Sequence, residues 1–332
     1  MAHRLGIDFG TSNTTLSFWN KKTGAPDIIL SEGGNAKIPS LLYLDESKFL
    51  FGDAAANELE NALHYPVDKQ FEIMPSIVRE IKLHLDDDME YYTTSNRPIS
   101  AVEGTRLFLQ YLREYANAAQ FHDEPVTALR ITYPVSFSEI SKKNLEKAAK
   151  GAGFSEVEMM QEPVAAALGY VSQRDNVGEH ILVYDIGGGT FDLAYVCLDR
   201  QGRFYVPLLD SVEECAGIYF DQAIYHYLSD RMKKDLKVDF CKLDHGLMTG
   251  ALEACRKSKE KLSSNENACF YHQFHNDAGK EYNVSVMVNR SELENLIGEK
   301  IDRTLRATLN MIEKIEREMG HKIDEFVDGK SA

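Results

Sequence analysis

Two aspartates stand beside glycine-rich turns in distant parts of the 332-residue chain. Asp8 lies in GIDFGTSN and Asp185 in LVYDIGGGTFD, and each ends an apolar run of the kind that forms a β-strand. Glycine has no Cβ and tolerates positive φ, so backbone N–H groups in such turns can converge on an anion. The two segments predict a pair of phosphate-binding turns, one in each half of the chain.

The side chains beside these turns suit a metal-bound polyphosphate. Asp8 and Asp185 each end an apolar strand, where an unpaired buried charge is costly. A hydrated Mg²⁺ that bridges two phosphates would neutralise both carboxylates, because magnesium keeps most of its waters. Thr11 and Thr190 can donate hydrogen bonds to phosphate oxygen or to an attacking water. We therefore expect both aspartates to contact Mg²⁺ through water.

Other phosphate-binding motifs do not fit this sequence. The P-loop pattern GxxxxGK[ST] is absent, and the Rossmann pattern GxGxxG runs into a helix, whereas FDLAYVCL continues as a strand after the glycines. A hairpin turn with no ligand remains the alternative for residues 187–189. Residues 5–20 and 181–199 share one pattern, an apolar strand, an aspartate, a glycine turn with threonine and a second strand, which indicates an internal repeat. Two unrelated hairpins remain the alternative to this repeat.

Strand and helix patterns alternate along the chain, which indicates an α/β protein. Two β-meanders are predicted, one over residues 5–34 and one over 181–211. The remaining predicted elements are helical runs at 53–63 and 75–85, a helix over 102–120, the strand ALRITYPV, a helix from Ser138 to Ala152, helices between 220 and 262, strands in ACFYHQFH and EYNVSVMV, and a long helix that begins at Ser291 with the capping box SELE and ends at Gly320.

Length and composition narrow the class of protein. A chain of 332 residues is longer than one hydrophobic core usually supports, so we expect two lobes. The net charge of −15 argues against nucleic-acid and membrane partners. The sequence shows no apolar run long enough to span a membrane and no signal-peptide pattern, so we expect a cytoplasmic location. The five cysteines have no CxxC spacing and are expected to be reduced and mostly buried, and the HxxH pair His272 and His275 is interpreted as surface residues.

The motifs, in their order, resemble the ATPase domain of the seventy-kilodalton heat-shock chaperones. The segments that carry the resemblance are GIDFGTSN, ALRITYPVSFSEISKKNLEKAAKGAGF, MMQEPVAAALGYV, LVYDIGGGTFDLA, AGIYFD and ACRKSKEKLSS. The combination of EPVAAALGY and DIGGGTFD separates this family from actins and sugar kinases, which share its fold. The resemblance implies an actin-like ATPase fold, with duplicated ribonuclease H-like lobes around a nucleotide cleft. We place lobe I at 1–173 (core 1–37 and 99–173, inserted subdomain 38–98) and lobe II at 174–332 (core 174–215 and 289–332, inserted subdomain 216–288).

The resemblance also assigns roles to individual residues. Its catalytic residues are Asp8, Lys82, Glu162, Asp185, Thr190 and Asp192. Its phosphate turns are Gly10, Thr11, Ser12 and Asn13, and Gly187, Gly188, Gly189 and Thr190. Its nucleoside contacts are Gly217, Arg256, Lys259 and Ser263. Lys69 competes with Lys82 for the role of the catalytic lysine, because the sequence around both diverges from the family.

Three departures from the family affect what we expect. Asn13 replaces an aromatic or similar residue after the first turn. Arg256 and Glu260 carry charges opposite to those usual in the family, which would preserve a pair and alter the affinity for nucleoside. The sequence stops at IDEFVDGKSA, where VDGKS (327–331) stands in place of a GGS-type loop that closes over adenosine. We therefore expect an incomplete second lobe and adenosine pocket, and no peptide-binding domain or direct peptide clamp.

The resemblance predicts binding of ATP or ADP with Mg²⁺ and hydrolysis of ATP, with closure of the lobes as a signal to partners. The partners it implies are J-domain co-chaperones and nucleotide-exchange factors. One alternative is an ATPase-deficient interaction module of the same fold. A small-molecule kinase of the same superfamily is the other alternative, which the family-specific motifs disfavour.

Overall fold

A computed structural model describes residues 3–122, 125–172, 180–199, 201, 203–236, 245–275 and 281–320. The helices are α1 (Gly52–Ala62), α2 (Val67–Ile73), α3 (Ala101–Ala119), α4 (Glu139–Gly151), α5 (Glu162–Ser172), α6 (Gly217–Leu236), α7 (His245–Leu262) and α8 (Arg290–Lys314). The strands are β1 (Arg4–Phe9), β2 (Asn13–Asn20), β3 (Ala25–Ile29), β4 (Ile38–Pro39), β5 (Leu42–Tyr43), β6 (Leu50–Phe51), β7 (Ile77–Val78), β8 (Glu90–Tyr92), β9 (Pro98–Ser100), β10 (Ala128–Tyr133), β11 (Glu156–Gln161), β12 (His180–Ile186), β13 (Phe191–Leu198), β14 (Phe204–Ser211), β15 (Asn267–His275) and β16 (Glu281–Asn289).

The sheet of lobe I has the strand order β11-β10-β1-β2-β3, and β4 also pairs with β2. β1 runs parallel to β10 and antiparallel to β2, so it has a partner strand on both edges. The predicted meander of the first three strands is confirmed. Buried side chains of β1 and β10 pack with α3 and α4 in one core, and Ser138 caps α4 by accepting a hydrogen bond from the amide of Ser141, as its position predicts.

Lobe II begins with a second meander, in which β12, β13 and β14 pair antiparallel in that order. β13 lies in the middle and is buried along almost its whole length, whereas the side chains of β12 are only partly buried. Phe191 and Leu193 of β13 pack with Met311 of α8 and Ile315 just beyond it. The glycine triplet therefore joins a half-exposed strand to a fully buried one.

The inserted parts of the two lobes have hydrophobic clusters of their own. One cluster joins α1 to Leu41 and Tyr43 before it and to the residues from Ile73 to Ile77 after it. The other joins α6 and α7 to the hairpin β15–β16 and to the first turn of α8. Leu42, Val78 and Ile81 lie within residues 38–98 and belong to the hydrophobic core of the first sheet.

Three local predictions are wrong. No helix spans residues 75–85, because Ile77 and Val78 pair with β5 and because Glu80 adopts a left-handed backbone conformation with φ of 58°. α8 begins earlier than Ser291, since Asn289 is its cap and forms the capping box with Glu292. His272 is buried and 3% exposed, because the β15–β16 hairpin turns this face toward α7.

The cysteine prediction is confirmed for Cys197, Cys215 and Cys255, which are free and buried, but Cys269 is exposed. Cys241, the side chain of His275, the predicted link around 173–179 and the VDGKS segment lie outside the described residues. Gly320, with φ of 68°, follows the last helical turn as predicted. Among the described helices, none combines the length and apolar character that crossing a membrane requires.

Candidate functional site

The two glycine turns meet across the lobes. A Cβ placed on Gly188 would lie 2.4 Å from Oγ of Ser12, and one on Gly189 would lie 2.6 Å from Oγ1 of Thr11. A Cβ at either position would force the hydroxyl side chain of the opposite turn to move. The two segments with similar sequence patterns therefore lie face to face.

Close approach, and not left-handed backbone, explains these glycines. The φ angles of Gly10, Gly187, Gly188 and Gly189 all lie outside the positive range that favours glycine. A Cβ on Gly10 would lie 2.2 Å from the carbonyl oxygen of Asn13, so the first turn also needs its glycine for space. Within the described residues, the backbone amides of Gly188 and Gly189 donate no hydrogen bond to another backbone group.

Lys82 is the lysine that reaches the site. Its side chain is 2% exposed, forms an ion pair with Glu162, and places Nζ 5.8 Å from the centre of the Phe9 ring. Glu162 is the first residue of α5, so a strand-to-helix junction holds the carboxylate. The competing Lys69 is exposed and lies over the ring of Tyr65, 3.6 Å from its centre.

Acidic side chains surround this ion pair. Burial raises the pKa of Glu162, and the charges of Asp8 and Asp185 raise it further against the opposing effect of Lys82. Burial and the charge of Asp8 raise the pKa of Asp185. Burial, followed by the charges of Glu162 and Asp185, raises the pKa of Asp192 to about 7. These mutual effects place the predicted carboxylates in one electrostatic cluster.

Asp192 brings a buried acceptor to the cluster. The backbone N–H of Val135 donates to its Oδ1 over 3.1 Å, whereas its buried Oδ2 has no hydrogen-bond partner among the described residues. Leaving a buried carboxylate oxygen unpaired is costly. The atom is therefore suited to a polar ligand or a water.

The predicted nucleoside residues form two groups. Lys259 places Nζ 2.8 Å from Oδ1 of Asp221 and donates to the carbonyl of Gly217. The amide of Gly217 in turn donates to the carbonyl of Gly187, so this group adjoins the second phosphate turn. Burial raises the pKa of Asp221 to about 6, although Lys259 opposes the shift. Ser263 is exposed just beyond the end of α7.

Arg256 forms part of an ionic cluster that crosses the cleft. It binds the buried carboxylate of Glu253 with two hydrogen bonds, of 2.7 and 3.0 Å, and pairs with Glu260 at 3.3 Å. The exchanged charges at 256 and 260 therefore form the pair that the sequence suggested. Arg79 of lobe I reaches the same Glu253 at 3.2 Å, and Lys257 forms a second pair across the cleft with Glu60.

A cavity of about 140 Å³ opens beside the first turn and this ionic cluster. Its lining residues are Thr11, Ser12, Asn13, Pro39, Ser40, Leu41, Ala56, Arg79, Glu80 and Arg256. Ser40 supports the turn, because its Oγ donates to the carbonyl of Gly10 and its amide donates to the carbonyl of Ser12. Ser263, like Gly217 and Lys259, does not line the cavity.

Sequence reasoning missed several polar residues of the site. Thr132 donates to Asp8, Arg79 and Glu253 join the lobes, and Ser40 braces the first turn. Glu253 offered one signal, since a glutamate within the apolar run ALEAC is unusual on a buried helix face. The others make contacts between distant parts of the chain that no local pattern reveals.

Comparison with known families supports the resemblance. The model of the family described as Hsp70 protein matches residues 4–327, nearly the whole chain. The match confirms the resemblance of the motifs and identifies the mixed α/β architecture as an actin-like ATPase fold, with a nucleotide-binding domain of the Hsp70 type. The chain belongs to the Hsp70 family.

Proposed function

We propose that this domain binds ATP and hydrolyses it with Mg²⁺, and that closure of its lobes signals to partner proteins. The observation that carries the proposal is the contact between the two glycine turns, with Lys82 and Glu162 paired beside them. Turns from opposite lobes that touch in this way can hold one polyphosphate from both sides. Binding would therefore depend on how closely the lobes approach each other.

The residues support phosphoryl transfer to water by positioning and by charge. Hydroxyls of Thr11 and Ser12 and amides of the second turn offer donors to phosphate oxygens. Buried Lys82 offers a positive charge to a bound phosphate group, and its ion pair with Glu162 keeps its side chain in place. Asp192, with a pKa near 7, can accept a proton from an attacking water.

The acidic residues fit a hydrated cation better than one that is directly coordinated. No three acidic, histidine or cysteine side chains of the described residues are grouped closely enough to hold a metal ion by themselves. The unpaired Oδ2 of Asp192 and the neighbouring carboxylates of Asp8 and Asp185 can accept hydrogen bonds from metal-bound waters. Bound in this way, Mg²⁺ would neutralise the negative charge of the phosphates.

Calorimetry with ATP and ADP, with and without Mg²⁺, tests the proposal. We expect Gly189→Ala to weaken Mg²⁺·ADP binding at least about tenfold, because the added methyl group would push Thr11 and Leu83 away from the second turn. Gly298→Ala in α8 is the matched control. A Cβ there meets no atom within 4 Å, and alanine favours helix, so nucleotide affinity should stay unchanged.

The outcome separates the candidate functions. Heat of binding in the wild type that Gly189→Ala weakens supports a nucleotide site between the turns. No detectable heat with either nucleotide would reject the ATPase and favour an interaction module of the same fold. The expected partners, J-domain co-chaperones and nucleotide-exchange factors, follow from the family. They would bind the arrangement of the two lobes that the bound nucleotide favours.

A further inference from the structure

The orientation of Asp8 depends on a residue from another strand. Asp8 is an exposed side chain at the end of β1, where a free carboxylate would rotate among several conformations. β10 runs parallel to β1, and the register that pairs Ile7 with Ile131 brings Thr132 next to Asp8. The hydroxyl of Thr132 lies 2.7 Å from Oδ1 of Asp8.

The direction of this hydrogen bond is fixed. Oγ1 of Thr132 accepts a hydrogen bond from the backbone N–H of Phe9 over 3.2 Å, and its only hydrogen is left to donate to Asp8. Thr132 is 8% exposed, so water competes little for the hydroxyl. No described residue bonds Oδ2 of Asp8, which leaves that oxygen for another ligand.

We propose that Thr132 is a positioning residue, which orients Asp8 so that Oδ2 receives the water shell of a nucleotide-bound Mg²⁺. The inference rests on the proposed function and assigns a new residue to it. The end of β10 would act on both lobes, because the backbone amide of Val135, three residues after Thr132, donates a hydrogen bond to Asp192. One strand end thus supplies the donors that fix an aspartate from each lobe.

A merely structural threonine would behave differently. Thr105, buried in α3 of the same lobe and 0% exposed, has an Oγ1 without a hydrogen-bond partner among the described residues. Thr105→Val therefore removes a buried hydroxyl of the same lobe that touches no part of the site. It is the matched control for Thr132→Val, and Thr132→Ser restores the hydroxyl at the proposed position.

The test measures ADP binding by calorimetry, once with EDTA and once with Mg²⁺. We expect Thr132→Val to reduce the gain in affinity that Mg²⁺ brings by at least about tenfold, while binding of ADP in EDTA changes less than about twofold. Thr132→Ser should recover most of the gain, and Thr105→Val should match the wild type. Urea unfolding of each variant shows whether it is folded at the temperature of the titration.

The possible results separate this proposal from the proposed function. If the wild type gains affinity from Mg²⁺ and Thr132→Val keeps that gain, the positioning role is wrong and the nucleotide site stands. If Thr132→Val loses affinity equally in EDTA and in Mg²⁺, or if serine does not rescue it, Thr132 is structural and the role is again wrong. If the wild type binds no ADP under either condition, both proposals fall.

Discussion

At the scale of single residues, Asp192 makes the stability of the domain depend on pH. Its carboxyl is 1% exposed and has a pKa near 7 in the folded protein, whereas an aspartate in an unfolded chain titrates at about 4. Between these values the folded protein holds a proton that the unfolded chain releases. The resulting stabilisation is full below about pH 4 and is lost as the pH rises through 7.

Asp192→Asn should therefore flatten the pH dependence in the absence of nucleotide. The asparagine carbonyl can still accept from Val135, and the neutral amide avoids the buried charge. We expect the variant to gain about 2 kcal/mol in free energy of unfolding relative to the wild type as the pH is raised from about 5 to about 8. Urea unfolding at both pH values measures the difference.

The control for this residue is Asp210→Asn, an exposed aspartate on the neighbouring strand β14. Its substitution should leave the difference in stability between the two pH values as it is in the wild type. A pH dependence that persists unchanged in Asp192→Asn would show that another group of the cluster holds the proton.

At the scale of elements, helix α7 joins the lobes through two ion pairs one turn apart. Glu253 is 1% exposed and shared by Arg79 and Arg256, whereas Lys257 pairs with Glu60 at the surface. Removing a buried partner leaves charges without compensation, and removing an exposed one costs little. We expect Glu253→Gln to lower the free energy of unfolding by about 3 kcal/mol, and Lys257→Gln to lower it by less than about 1 kcal/mol.

Chemical denaturation of both variants checks this contrast on one helix. Equal losses would mean that Glu253 is compensated by water or by other groups, and that the buried cluster does not hold α7 against lobe I. A loss in Lys257→Gln alone would assign the connection between the lobes to the surface pair.

At the scale of the whole molecule, the sequence predicts what depends on local pattern and misses what depends on assembly. The two meanders and the Ser138 cap follow from local spacing. The apolar residues from 75 to 85 have helical spacing, yet pairing with β5 and the φ of Glu80 override it. Thr132 and Asp8 are 124 residues apart, so only the parallel pairing of β1 with β10 reveals their bond.

The sheet that contains β12 should be locally less stable than the sheet that contains β1. β1 has a partner on both edges and a buried apolar face, whereas β12 pairs with β13 alone among the described strands and has partly exposed side chains. Fewer buried contacts and more exposed backbone hydrogen bonds favour local opening. We therefore expect the amides of β12 to exchange hydrogen with solvent at least about tenfold faster than those of β1 and β10 in the protein without nucleotide.

Hydrogen exchange followed by mass spectrometry resolves the two sheets in one experiment. Mg²⁺·ADP should slow exchange in Gly10–Asn13 and in Gly187–Thr190 together, because a ligand held by both turns binds only when both lobes are folded. It should also slow exchange in β12 more than in β1, since the less stable sheet gains most from the ligand. The peptide that contains β8 and β9, which do not touch the turns, is the internal reference. Equal protection of β1 and β12 without nucleotide would contradict the predicted difference in stability between the sheets. Protection of one turn alone with Mg²⁺·ADP would contradict a site that depends on both lobes.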